Sequence, residues 1–295
     1  MTPRTLTLTV SPEQAGRTVK SLLRRNLGVS DGMLARLRQR PDGILCNGSP
    51  IRTIDRVQAG DTLAVQVGDT RQGFRFEPVD VPLHILFEDD DLLVLDKPAG
   101  MAVHGRSDHG EPTVANALAY HLGADAVFHP VNRLDRGTSG LMAAAKHAHA
   151  CQLLQRQLHS DCFVREYLAV VEGEFSGEGR IDLSISKAEG ATVRRVVDAQ
   201  RGQRAVTHYR SLAQGNGRTL VRLRLETGRT HQIRVHMADI GHPVAGDFLY
   251  GSELAALPGR FALHSAHIAL VQPLTHAQIF CESPLPEALR RLLEP

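Results

Sequence analysis

Apolar positions along the chain follow two rhythms, and the change from one to the other divides it. Over residues 18–27 they fall at Val19, Leu22, Leu23 and Leu27, the spacing of one helix face. Gly28-Val29-Ser30-Asp31 breaks that helix, and a second follows with Met33, Leu34 and Leu37 on its apolar side and Ser30 or Asp31 as its cap. Arg36, Arg38 and Arg40 are left to project elsewhere. Residues 1–10 alternate threonine with leucine and valine like a strand. Short strand-like pieces at 43–46 and 62–67 come with turns at Asn47-Gly48 and Gly60-Asp61. Residues 68–82 lose periodicity, carry Gly73, Pro78 and Pro82, and read as a connector.

Beyond the connector a period of two dominates. Strands are predicted at 83–87, 92–95, 167–171, 205–212 and 220–226, the last with Val221, Leu223 and Leu225 alternating against Arg222, Arg224 and Glu226. Helical spacing returns at 113–121, 148–159 and roughly 230–240, where Gly241 is placed to end the helix. Strands and helices do not alternate regularly enough for a doubly wound sheet. The pattern predicts an α+β protein with a mixed, mainly antiparallel sheet, divided into a small α+β module (1–70), a linker (71–82) and a main domain (83–295).

Composition narrows the class. No stretch approaches about 18 apolar residues and the first ten residues lack the apolar run of a secretion signal, so a cytoplasmic protein without a membrane span is expected. Cys46, Cys151, Cys162 and Cys281 form no C-x-x-C pair, which argues against a disulfide framework or thiolate zinc site and for buried free thiols. The net charge of +2 is unevenly spread: residues 1–70 hold ten Lys and Arg against six Asp and Glu, and the remainder 24 against 26. The N-terminal excess of +4 suits a polyanionic partner, and 30 of the 34 basic residues are arginine, which grips phosphate with a planar fork.

The densest chemistry lies in Arg133-Leu134-Asp135-Arg136-Gly137-Thr138-Ser139-Gly140, a carboxylate between two guanidinium groups ahead of an apolar run. Opposite charges within a few ångströms lower a carboxyl pKa by roughly 1 to 3 units, so the pattern favours an ionised Asp135 able to attack an electrophile or take a proton. Aspartic-protease chemistry needs two carboxylates sharing a proton; here Arg136 intrudes and the loop has no second copy. Glycoside hydrolysis needs a second placed carboxylate, and none is nominated, since Glu88-Asp89-Asp90-Asp91 reads as an acidic turn between two strands. His231 and His236 have no third ligand in a zinc pattern and are expected to be satisfied by hydrogen bonds.

Three separated segments carry a resemblance: His129-Pro-Val-Asn-Arg-Leu-Asp-Arg-Gly-Thr-Ser-Gly-Leu, Arg165-Glu-Tyr-Leu-Ala-Val-Val and Thr227-Gly-Arg-Thr-His-Gln-Ile-Arg-Val-His-Met. In this order, with Lys97-Pro98-Ala99-Gly100, Gly241-His-Pro-Val-Ala-Gly-Asp and Leu263-His264-Ser265-Ala266, the chain resembles the RluA-type family of pseudouridine synthases over nearly its whole length. Residues 16–67 resemble the S4-type RNA-binding domain, including the Cys46-Asn47-Gly48 turn and the Ala59-Gly60-Asp61 step.

The resemblance implies isomerisation of a uridine within RNA, the base being cut from the ribose at N1, turned and rejoined through C5, with no cofactor or metal. It implies that Asp135 is the essential carboxylate, by addition at C6, attack on the anomeric carbon or deprotonation of the ribose. By the same resemblance Arg234 is its counter-ion, with Arg229 the competing choice; five residues apart, the two point about 140° apart if both are helical. Tyr167 matches the active-site tyrosine that stacks on the base, and Arg133 the arginine that enters the space vacated when the nucleotide is turned out. Arg36, Arg38 and Arg40 become phosphate contacts. Lys97 to Gly100 is expected to form a turn closing the cleft. The implied partner is RNA, ribosomal in preference to transfer RNA, with no membrane or protein partner and a monomeric state; the alternative is a non-catalytic RNA-binding or ribosome-assembly factor on the same fold. Asn132 stands where the family usually has histidine, which puts in question how the loop around Asp135 is held, and Gln272-Pro273 replaces a common histidine-proline.

Overall fold

The computed structural model describes residues 4–69, 76–105, 110–123, 126–158 and 160–295. Its N-terminal part holds β1 (Thr5–Thr9), α1 (Val19–Asn26), α2 (Asp31–Leu37), β2 (Ile44–Cys46), β3 (Ser49–Pro50) and β4 (Thr62–Gln66), with the sheet order β1-β4-β2-β3. Local chemistry sets the helix starts: the Thr18 hydroxyl accepts from the Ser21 amide and the Ser30 hydroxyl from the Met33 amide, each satisfying an N–H that the helix leaves free. Ser30 rather than Asp31 is therefore the cap. The apolar faces of both helices pack against Leu6, Ile44, Leu63 and Val65 of the sheet. Asn47 and Gly48 both have positive φ, as a two-residue hairpin turn requires. The Asn47 side chain joins that turn to the next through Asp61 and the Thr62 amide.

The remaining elements are β5 (His84–Glu88), β6 (Leu92–Lys97), α3 (Val114–Leu122), β7 (His129–Pro130), β8 (Ser139–Ala145), α4 (Ala148–Gln157), β9 (Phe163–Glu172), β10 (Glu178–Asp182), β11 (Ile185–Lys187), β12 (Arg195–Val197), β13 (Val206–Gly215), β14 (Arg218–Leu225), α5 (Gln232–Asp239), β15 (Leu263–Val271), β16 (Gln278–Glu282) and α6 (Glu287–Arg290). Among the described residues, one sheet has the spine β10-β13-β14-β9-β15-β8-β6-β5, with β16 added at β15 and β7 at β8, while β11 and β12 form a separate ribbon. The β15–β8 pairing is parallel and the other pairings in the sheet are antiparallel. This is the mixed, mainly antiparallel α+β fold that the patterning predicts.

The pattern leaves β3, β7, β10, β11, β12 and β16 unassigned, and also β8 and β15, which run through the middle of this sheet. Every residue of β8 is buried. Met142 and Ala144 pack in one cluster with Tyr167, Leu223 and Met237, while Leu141, Ala143 and Ala145 pack in another with Ile268 and with Leu154 of α4. A strand covered on both faces needs apolar residues at every position, so the alternation that marks a half-buried strand disappears. β9 also starts earlier than predicted, at Phe163. Cys151 and Cys281 are buried, but Cys162 is exposed and Cys46 half-buried, so the expectation of buried thiols holds for only two of the four.

The two sheets are tied together. Arg4 Nε donates to Asp91 at 2.9 Å, Asp69 bonds the His129 ring at 2.7 Å and accepts from the Ala148 amide at 3.3 Å, and Leu274 packs against the N-terminal core. Asp91 lies in the turn between β5 and β6, as expected of that acidic run, and also receives His147 and Gln272. Residues 71–75 of the proposed connector lie outside the described residues; its later part is held on α3, where Asn116 donates to the Glu77 carbonyl and accepts, through its own carbonyl, from the Val79 amide.

Candidate active site

Asp135 sits in the loop between β7 and β8, anchored by buried Leu134 on one side and by a turn in which the Thr138 amide donates to the Asp135 carbonyl. From the first turn of α5, Arg234 Nη1 donates to Asp135 Oδ2 at 2.9 Å. The other two nitrogens of the guanidinium are taken by Asp247, Nε to Oδ2 at 2.6 Å and Nη2 to Oδ1 at 2.8 Å. The Phe261 ring lies 4.1 Å from the guanidinium carbon and the Tyr250 ring 5.1 Å from it. A side chain at Gly137 would put its Cβ 2.7 Å from the Phe261 ring, so this position needs glycine. Burial opposes the charge on Arg234, but the hydrogen bonds to Asp247 and the charges of Asp135 and Asp247 outweigh it and raise its pKa. The assembly has two carboxylates for one guanidinium. Asp247 is wholly buried and uses both oxygens, whereas the Asp135 side chain is 26% exposed, lines the cleft and spends one oxygen on Arg234.

The neighbours of Asp135 in sequence do not hold it. Arg136 turns away to the Gly100 carbonyl, 2.7 Å, and to Glu111, and Arg133 is exposed with no ion pair among the described residues. Arg229 is not the counter-ion either. It precedes α5, which starts at Gln232 rather than near 230, and its Nε donates to the Arg204 carbonyl at 3.1 Å, so the helical separation from Arg234 does not apply. Asp135, Tyr167, Arg133, Arg229 and Arg234 line one cleft of about 970 Å³, within the size range of sites that enclose a small ligand. Arg36, on α2, and Arg38, just past its end, are exposed and lie outside this cleft, and Arg40 meets Gln66 and, at 3.5 Å, Asp42.

Tyr167, 5% exposed on β9, has its phenol pKa pushed up by burial, opposed by Arg165 and reinforced by Asp135, so the hydroxyl keeps its proton. His231 adopts a left-handed backbone ahead of α5, bonds the Tyr250 hydroxyl at 2.8 Å through Nδ1 and places Nε2 3.8 Å from Asp135. Burial lowers its pKa despite Asp135, which leaves the ring neutral at pH 7. His236 bonds the Thr207 hydroxyl and the Leu183 carbonyl, so both histidines are satisfied within the protein. Asn132 answers how the loop is held: its carbonyl oxygen accepts from the Ala143 amide of β8 at 2.8 Å. Gln272 donates to Asp89 and Asp91 and caps the amides of Leu274 and Thr275.

Sequence reasoning gave no role to Asp247, Tyr250 or Phe261, and gave Lys97 only a place in a turn. Asp247 closes the Gly241-to-Asp247 motif, which is the one signal that pointed toward it. Lys97 opens the turn of residues 97–100 but is itself wholly buried; its ammonium donates to the carbonyls of Pro98, Met101 and Arg136 at 2.8, 2.9 and 3.3 Å. The turn thus backs the loop that carries Asp135, while Ala102, Val103 and His104 just after it line the cleft. Burial pushes the Lys97 pKa down to about 7, with Asp135 opposing. Between that value and the ordinary 10.5 the unfolded chain binds the proton and the folded one does not, so stability rises with pH across this window, by up to about 1.4 kcal/mol per unit. Urea denaturation at pH 7 and pH 9 is expected to show wild type gaining about 2 kcal/mol relative to Lys97→Met. Parallel curves for the two proteins would contradict this.

Comparison with known proteins agrees with the geometry. The family model for RNA pseudouridylate synthase matches residues 91–239, which include Asp135, Tyr167 and Arg234. An uncharacterized RNA pseudouridine synthase of Bacillus subtilis is 36% identical over 272 residues, 91% of this chain and 95% of its own. The ribosomal large subunit pseudouridine synthase D of Pseudomonas aeruginosa is 38% identical over 84% of this chain and 82% of its own. Among solved structures, human RNA pseudouridylate synthase domain containing 1 shares the fold, with a TM-score of 0.58 and 24% identity over 74% of this chain and 90% of that one. The chain belongs to the RNA pseudouridylate synthases, of the RluA type, and is an RNA-modifying isomerase.

Proposed function

We propose that this enzyme isomerises uridines in the RNA of the large ribosomal subunit, with Asp135 as the acting carboxylate. The observation that carries the reading is the division of labour around Arg234: buried Asp247 holds two nitrogens of the guanidinium, and the third holds one oxygen of the cleft-lining Asp135. A charged group so held is aimed without reorganisation at whatever enters. Tyr167 supplies a flat apolar wall on which the target base stacks, and exposed Arg133 and half-buried Arg229 meet the RNA at the cleft mouth. The ribosomal substrate rests on relatives named for it. The enzyme is proposed to act in the cytoplasm as a monomer. A non-catalytic assembly factor is the weaker reading, because it has no need of Asp135 poised in this way.

Residues 1–70 are proposed to form an S4-type module that binds RNA, with 71–82 a connector and 83–295 the catalytic domain. Arg36 and Arg38 are exposed and have no ion pair among the described residues, which leaves both free for phosphate. The double variant Arg36→Ala/Arg38→Ala is expected to weaken RNA binding and to lower the slope of log affinity against log salt by about 2. Filter binding at several salt concentrations measures it, and an unchanged slope would remove these arginines from the interface.

The substrate is tested by incubating the purified enzyme with ribosomal and transfer RNA from cells lacking its gene and then mapping pseudouridine. New pseudouridine in large-subunit RNA is expected. Conversion confined to transfer RNA would overturn the substrate assignment.

A further inference from the structure

The period-two alternation of β9 places Arg165 on the same side as Tyr167, and both line the cleft. Arg165 and Arg234 are the buried arginines of that cleft, 5% and 3% exposed. Their situations differ. Arg234 has a carboxylate oxygen on each of its three nitrogens. The Arg165 guanidinium has no ion pair or hydrogen bond among the described residues, and its Nε is fully enclosed without a partner. Burying a cation without a partner is strongly unfavourable, so this position works against the stability of the free protein. Gly228, which also lines the cleft, leaves room for this group: a Cβ there would lie 3.0 Å from Arg165 Nη1 and the guanidinium would have to shift.

We propose that Arg165 is a further catalytic residue, binding the carbonyl oxygens of the uracil ring and stabilising the negative charge the ring carries as the base leaves the sugar. This rests on Asp135 acting on the target nucleotide, as proposed above. In the isomerisation the C1′–N1 bond breaks with its electron pair departing on the base. The new C1′–C5 bond forms from the ring electrons, and the proton lost at C5 is balanced by one gained at N1, so no co-reactant is needed. Whichever bond Asp135 makes first, the ring holds anionic charge spread onto its oxygens before it is rejoined. Donors already in place and shielded from water stabilise such charge most effectively. A backbone phosphate is the poorer ligand for Arg165, since phosphates stay at the solvated mouth where Arg133 is exposed, whereas only a base turned out of its stack reaches a group 5% exposed beside Tyr167.

The experiment compares wild type, Arg165→Met and Arg165→Lys on RNA carrying the target uridine, by single-turnover rate, RNA dissociation constant and thermal melting. A second RNA carries 5-fluorouridine at that position, whose base leaves more readily as an anion but has no C5 proton to lose, so the rate compared on both RNAs is that of breaking the C1′–N1 bond. Arg165→Met is expected to melt no lower than wild type, to bind RNA within about threefold, and to react at least 100-fold more slowly. Arg165→Lys is expected to recover part of the rate, and the deficit of both variants to shrink on the fluorinated RNA. The proposal is overturned if Arg165→Met keeps the wild-type rate, if its loss lies wholly in RNA affinity, or if the deficit of Arg165→Lys is the same on both RNAs. An active Asp135→Asn control would instead overturn the role of Asp135.

Discussion

Asp135→Asn is expected to bind RNA as wild type does and to convert essentially none of it. The amide oxygen keeps the hydrogen bond from Arg234 Nη1, now 2.9 Å to the carboxylate, and Asp247 keeps its two bonds to the same guanidinium, so the loop and cleft retain their shape. What is lost is the charge and nucleophilicity of the one carboxylate that, among the described residues, lines the cleft. Covalent or base catalysis by a single side chain has no local substitute, and a fall in single-turnover rate of about four orders of magnitude is the scale to expect. Melting should move by only a few degrees. A slow variant that also melts far below wild type would show that the acid is mainly a structural brace.

Asp247→Ala is expected to have the opposite profile, damaging fold and activity together although the residue never touches the substrate. Removing this wholly buried carboxylate strips two of the three hydrogen bonds from a guanidinium 3% exposed and leaves the amides of Leu249 and Tyr250 without their acceptor. Breaking a buried ion pair from one side costs about 3–5 kcal/mol, which for a protein of this size lowers the melting temperature by about 10 °C. The freed guanidinium can also rotate, so Asp135 loses its fixed direction. Asp247→Asn keeps an acceptor and is expected to fall between. Thermal melting with single-turnover kinetics checks both; full stability in Asp247→Ala would mean that Arg234 is adequately held by Phe261 and Asp135.

The three groups at the centre of the site were legible because each lies in a short motif, and the fold brings Arg234 to Asp135 across 99 residues as those motifs imply. The flanking arginines do not hold the acid, because adjacency along a turn does not put side chains together: Arg136 bonds Gly100 and Glu111, and Arg133 makes no ion pair among the described residues. Lys97 was hidden by its type, since a lysine with three carbonyl partners looks in sequence like any surface lysine. Asp247 was hidden by context, because only the path of the chain beyond α5 returns it to Arg234. For the fold, β14 announced itself by alternation between a buried and a more exposed face, whereas β8 could not, being buried on both sides.

The account stands most directly on one measurement, a map of pseudouridine in large-subunit RNA from cells in which the gene is deleted and then restored as wild type or as Asp135→Asn at equal protein level. Sites that disappear on deletion should return with wild type and remain unmodified with Asp135→Asn. Return of the same sites with Asp135→Asn would show that the carboxylate is not the group that acts.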